Sequence, residues 1–313
     1  MESIGVYADS IERCKEVFSV IRGKDSQDQS SCNPPEQAPP LSGGGSKRIG
    51  VLSPQALTQA MAVLLQEAAK NSGDDAGRAL RDAAGECMPD ENLLYSFEEV
   101  KKRLTVLGHS LTDVTVSGLQ YAVPAFYTIA AADSGCNLAR FDAMTFGTRP
   151  DWAENHDELM DKARETGFGQ EAKLQAILGT LALRSGFQDR YYLKAHRIRA
   201  GIKAQFEALL GDSEYKQPAK IDAILMPVYP VIGKTLSPLA QRAARVFTCC
   251  ASLAGLPALA FPGLLTEIEM RNLPAGIQLI GRAWAEGILF DIAQGYAEKY
   301  PFPHPQGFKE FWK

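Results

Sequence analysis

Asn137, Arg140 and Asp142 form a dense polar cluster within the run NLARFD. On a helix the first two stand three residues apart on one face, so an amide and a guanidinium project together. Such a pair can line a pocket wall. It can also tie the helix end to a neighbouring carbonyl or carboxylate, which is the commoner use of such groups and the expectation here. Asp133 with Asp142, and Glu98 with Glu99, are carboxylate pairs that acid–base chemistry could use, but carboxylates of this kind serve more often as solvated helix faces or caps. No G-x-S-x-G nucleophile elbow occurs, and none of the four histidines, at positions 109, 156, 196 and 304, stands where it would act as a base for serine. Those histidines share no metal-ligand spacing. The six cysteines, at 14, 32, 87, 136, 249 and 250, form no C-x-x-C pair. No metal and no cofactor is therefore expected, and the cysteines read as reduced thiols used as small apolar residues. Gly44-Gly45-Ser46-Lys47 ends like a phosphate loop, but the first glycine of that spacing is missing.

The elements that must position these groups follow from periodicity. Ile11, Cys14, Lys15, Phe18 and Ile21 predict a helix over 10–21, with Asp9 or Ser10 as N-cap and Gly23 as stop. Residues 24–47 carry four prolines, Gly43-Gly44-Gly45 and many serines, and read as a flexible linker. RIGVL at 48–52 predicts a strand, 57–70 a helix, 71–90 a variable excursion, 97–107 a second helix and 111–116 a strand. Helices are expected over 123–141, with Pro124 in the first turn, then over 156–166 and 170–211. Residues 221–226 predict a buried strand. The run ASLAGLPALAFPG should end one element at Pro257 and begin a short buried strand over 258–262. An acidic loop then leads to a second strand at 277–280, and an amphipathic helix over 288–300 precedes a Pro-rich tail. Strands alternating with helices give an α/β fold, a mixed β-sheet flanked by helices.

Composition narrows the classes. With 313 residues, 45% apolar and 22% charged, the chain can bury one large core or two ordinary ones. A formal net charge of −4 and a pI near 5.7 argue against a large basic nucleic-acid surface and leave room only for a local patch. The most apolar stretch, 248–265, contains Gly255, Pro257, Pro262 and Gly263, so no membrane span is expected. The N-terminal MESIGVYADS lacks the apolar core of a signal peptide, and a cytoplasmic location is expected.

Several stretches together resemble the amidase signature family, above all its tRNA-dependent amidotransferase A subunits: ESIGVYADSIERC, KRIGVL, YAVPAFYTIAAADSGCNLARFDAMTFG, GFGQEAKLQAILGTLALRSGFQDRYYLKAHRIR, IDAILMPVYP and LAGLPALAFP. They run in family order along nearly all of residues 1–313 except 53–95. The resemblance implies an amidase signature fold that is incomplete at its N-terminus. In that family a Ser-cis-Ser-Lys triad hydrolyses glutamine and releases ammonia, with backbone N–H groups holding the oxyanion. The triad lies N-terminal to everything matched, so no catalytic residue is assigned here. The position of the arginine that grips the glutamine carboxylate falls at Gln175. That of the acid facing the glutamine ammonium falls at Arg245, and that of a pocket tyrosine at Phe126. Losing a guanidinium fork and reversing a charge would each cost about 2–3 kcal/mol of recognition.

The resemblance also implies B and C amidotransferase subunits as partners, with tRNA reached through the complex. Beside an independent hydrolase with a new site built from groups such as Asp133, Asn137 and Arg140, it leaves two functional readings. The chain is a portion of an ammonia-generating subunit that is inactive in isolation, or it is a non-catalytic pseudo-amidase acting in assembly or as a scaffold. A sheet normally completed by strands from both halves would otherwise leave apolar faces and unpaired edges.

Overall fold

The computed structural model describes residues 4–36, 38–41, 44–214, 216–268 and 271–302. They form two compact units, one over Tyr121–Gly201 and one built from the stretches on either side of it, Glu2–Gln120 and Ile202–Lys313 as far as these are described. No helix among the described residues is long and apolar enough to cross a membrane. The expected glycine at 43, the tail from 303 onward and His304 lie outside the described residues.

The flanking unit holds a five-stranded sheet with β1 (Arg48–Val51), β2 (Ser110–Asp113), β3 (Ala223–Pro227), β4 (Ala258–Ile268) and β5 (Arg271–Gly281) in the order β2-β1-β3-β5-β4. β1 runs parallel to both β2 and β3, whereas β5 is antiparallel to β3 and β4. The sheet is therefore mixed, as the sequence predicts. Ile49, Val51, Leu225, Ile277 and Leu279 are buried in its core. At Gly50 a Cβ would come 2.5 Å from Ile221 Cδ1 and 2.9 Å from Val114 Cγ1, so any side chain there would force both neighbours to shift.

Helices cover the sheet. α1 (Ile11–Ile21) is capped by Ser10, whose Oγ accepts from Arg13 N. α2 (Pro54–Lys70) follows Ser53, which caps it in the same way. The expected excursion over 71–90 is instead largely helical: α3 spans Asp74–Glu86. It packs through Gly77, Ala83 and Ala84, residues too small to show an apolar period. α4 (Glu91–Val106) sends Leu93, Phe97, Val100 and Leu104 into the core at helical spacing. Burying each of the larger ones contributes about 1.5–3 kcal/mol. Beyond β3 lie two helices that the sequence pattern does not separate, α9 (Pro238–Ala244) and α10 (Val246–Ala254). The second ends where Gly255 adopts φ +70°, as the LAGLP run requires. α11 (Glu286–Lys299) closes the unit, with Phe290 5.7 Å from Phe18 of α1.

Both strands of the final hairpin run on through the segment expected to be an acidic loop. A bulge between Pro262 and Leu265 lets β4 continue, and the buried Ser96 Oγ accepts from Leu264 N at 3.0 Å within it. Within 24–47, Ala38 N donates to Pro35 O, and Pro40 and Leu41 lie so close to Gly287 that a Cβ there would come 2.7 Å from Leu41 Cα.

The Tyr121–Gly201 unit is helical. α5 (Ala122–Leu138) and α7 (Gln170–Leu183) cross where Gly179 meets the Ala131 carbonyl and Gly135. α6 (His156–Gly167) precedes α7. The single helix expected over 170–211 is broken: Gly186 takes φ +83°, and a π-helical turn over Asp189–Leu193 leads into α8 (Lys194–Leu210).

Candidate functional site

Four of the five candidate positions belong to the Tyr121–Gly201 unit. Asn137 and Arg140 lie at the end of α5, both exposed, with Arg140 Nη2 donating to Asn137 Oδ1 at 3.1 Å. The pair is thus brought together, but the tie to the helix end comes from another residue. Arg164, on α6, donates from Nε to Phe141 O at 3.0 Å and from Nη2 to Ala139 O at 3.1 Å. Nothing in the sequence near 140 points to an arginine more than twenty residues later. Asp142 accepts from the backbone N–H groups of Met144, Thr145 and Phe146. Those donors hold its carboxyl below the usual carboxylate range. The other carboxylate pair is structural too: Glu98 pairs with Lys101, and Glu99 with Lys102 and Arg103, along α4.

Phe126 is half-buried in the first turns of α5, edge-on to Tyr127 with ring centroids 5.6 Å apart. It brings an aromatic wall without a hydroxyl. Gln175 is half-buried on α7, one turn before the Gly179 crossing. Its Nε2 donates to Glu171 Oε1 at 3.2 Å, while its own Oε1 is buried and has no hydrogen-bond partner among the described residues. A carboxylate only accepts, so Glu171 fixes which end of the amide faces it. Gln175 therefore turns an acceptor inward. His196 Nε2, on α8, is a second buried polar atom without a partner among the described residues. Its ring stands 4.5 Å from that of Tyr192.

Arg245 belongs to the sheet-bearing unit, at the junction of α9 and α10, and is exposed. Its carbonyl accepts from Thr248 N at 3.0 Å and Cys249 N at 2.7 Å. Cys249 and Cys250 beyond it are buried, and Cys250 Sγ donates to Val246 O. Hydrogen bonding with Cys249, followed by burial, pushes the Cys250 thiol well up, so it stays protonated at neutral pH.

The A subunit of glutamyl-tRNA(Gln) amidotransferase from Caldanaerobacter subterraneus subsp. tengcongensis is 35% identical over 221 residues, 68% of this chain and 42% of that one. Its counterpart of the same name from Campylobacter curvus is 30% identical over 298 residues, 94% of this chain and 57% of the relative. This chain thus spans about half the length of these curated relatives. Among solved structures, the Thermotoga maritima A subunit of glutamyl-tRNA(Gln) amidotransferase superposes with a TM-score of 0.58 at 24% identity, over 94% of this chain and 52% of that one. The 6-aminohexanoate cyclic dimer hydrolase gives 0.61 at 16% identity, over 96% and 55%. Both share the fold. The family model described as Amidase matches residues 1–290, and the chain belongs to that family.

Proposed function

We propose that this chain is related to the glutamine-hydrolysing A subunit of a tRNA-dependent amidotransferase but does not hydrolyse glutamine in isolation. The orientation of Gln175 carries the reading. A glutamine carboxylate needs N–H donors, and the guanidinium that supplies them in the family is replaced by an amide whose nitrogen is engaged by Glu171. Its inward group is an acceptor, which repels a carboxylate. Phe126 offers no phenol, and Arg245 offers a cation where a ligand ammonium would need an acid. In the same reading B and C subunits, with tRNA through the complex, are its partners. Exposed Ile177, Leu178 and Leu181 on α7 support a covering partner surface.

The experiment is ammonia release from glutamine by the purified chain, alone and with B and C subunits, beside calorimetric titration of glutamine. The chain alone is expected to be silent and to bind no glutamine. Gln175→Arg is expected to restore measurable glutamine binding. Turnover by the unmodified chain alone would overturn the proposal. The pseudo-amidase alternative is favoured by the same Gln175 geometry and predicts silence in every complex.

A further inference from the structure

Arg184 to Gly201 contains five cations, Arg184, Arg190, Lys194, Arg197 and Arg199, against the single acid Asp189, in a chain whose formal net charge is −4. Arg184, Arg190, Lys194 and Arg197 are exposed, and among the described residues none of their side chains makes a hydrogen bond or ion pair. That differs from α4 and α6, where Lys101, Lys102 and Lys162 each pair with a glutamate one turn away. Arg190, Lys194 and Arg197 share one continuous helical run, and unpaired like charges so placed repel one another, a cost that an anionic partner would remove.

The backbone sets their direction. In the π-helical turn Leu193 N donates to Gln188 O at 3.0 Å, and Ala195 just beyond is buried. Arg190, Lys194 and Arg197, spaced by four and then three, emerge on the outward side. At a rise of ~1.5 Å per residue they extend over about 10 Å, the reach of about three phosphates along one strand. Beside them Phe187 and Tyr191 are stacked, centroids 5.9 Å apart and planes 15° apart, and Tyr191 is 49% exposed. A ring face next to a row of cations is what a base and its phosphates require together. An acidic protein surface would use the charges but not the ring.

We propose that the outward face of Arg190–Arg197, with Tyr191, binds single-stranded nucleic acid. The inference is independent of glutamine hydrolysis and of assembly with other chains. The test is fluorescence anisotropy of the full chain with labelled RNA and DNA oligonucleotides of about 20 nucleotides, between about 50 and 200 mM salt. Wild type is expected to bind, with affinity falling as roughly the second power of salt concentration for three single-strand phosphates. The triple variant Arg190→Glu/Lys194→Glu/Arg197→Glu should lose at least tenfold with an unchanged circular dichroism spectrum, and Tyr191→Ala about fivefold. Arg13→Glu/Lys102→Glu/Lys216→Glu makes the same change in net charge at exposed cations elsewhere and should stay within twofold. Binding of RNA, DNA or both supports the proposal and identifies the sugar. No binding at low salt, equal loss in the control variant, or binding only to phosphatidylserine vesicles overturns it.

Discussion

Gly179→Ala tests how α5 and α7 are held together. In an ordinary exposed helix this substitution stabilises by about 1 kcal/mol, because alanine loses less backbone freedom on folding. Gly179 is buried, and a Cβ there would collide with the Ala131 carbonyl and stand 3.3 Å from Gly135 Cα. The collision falls well inside the ~3.3 Å of close carbon–oxygen contacts. Both obstacles are backbone, so no side chain can swing aside and the two helices must separate. Overpacking of this kind costs about 1–3 kcal/mol and forfeits contacts along the crossing. Gly201, on α8, is exposed and a Cβ there would meet nothing within 4 Å, which makes Gly201→Ala the internal reference. The two variants should differ by about 2–4 kcal/mol, with opposite signs relative to wild type. Urea unfolding followed by circular dichroism reads this as midpoints moving in opposite directions, by roughly 1 M in total. Equal midpoints for the two variants would refute the close crossing, whatever their absolute stability.

Gln278 is buried and its Nε2 donates to Pro227 O at 3.1 Å and Phe247 O at 2.5 Å, so Gln278→Leu should cost about 2–4 kcal/mol in urea unfolding by stranding two carbonyls. An unchanged midpoint would sink that account. Asp90 caps α4 through Leu93 N at 2.6 Å and also accepts from Ile232 N at 3.0 Å; Asp90→Ala should lower stability by about 1–3 kcal/mol, more than Ser10→Ala at the exposed cap of α1. His109 Nδ1 accepts from Lys47 N at 3.1 Å, and burial, with the Lys47 charge beside it, holds the imidazole below its ordinary value. Folding therefore favours the neutral ring: its contribution is complete above the unfolded value near ~6.5 and is lost as pH falls through the lower folded one. The stability difference between wild type and His109→Asn should shrink on acidification below about pH 6.5, and a pH-independent difference would contradict the bond.

Legibility in the sequence follows side-chain size. α1 and α4 present large apolar residues three and four apart, so their faces can be read before their contacts are known. α3 does its packing with Gly77, Ala83 and Ala84, and its Asp- and Gly-rich surface looks like a loop until α2 stands beside it. Pro262-Gly263 reads as a strand end by local rules. Only Ser96, far away in sequence, supplies the hydrogen bond within the bulge that lets β4 pass. Conversely, Gly186 stops a helix whose apolar period continues on both sides. The polar cluster divides in the same way. Asn137 with Arg140 is a three-residue spacing and is visible, whereas Arg164 reaches the same helix end from another element. The direction of the Gln175 amide depends on Glu171, a pairing that spacing allows but does not decide.

The order of elements has a consequence for how the chain is made. Asp222, which binds Arg48 at the start of β1, is synthesised 174 residues after it. At about 5–20 residues per second that is a delay of roughly 10–35 s. α1 waits longer still for Phe290, and the Pro40–Leu41 segment for Gly287. Tyr121–Gly201 has its partners close at hand and can settle during that interval. The sheet is completed only after it, and a nascent β1 without β3 beside it is an open edge that must be kept from other chains. A holding chaperone that covers this edge during synthesis should raise the yield of folded protein.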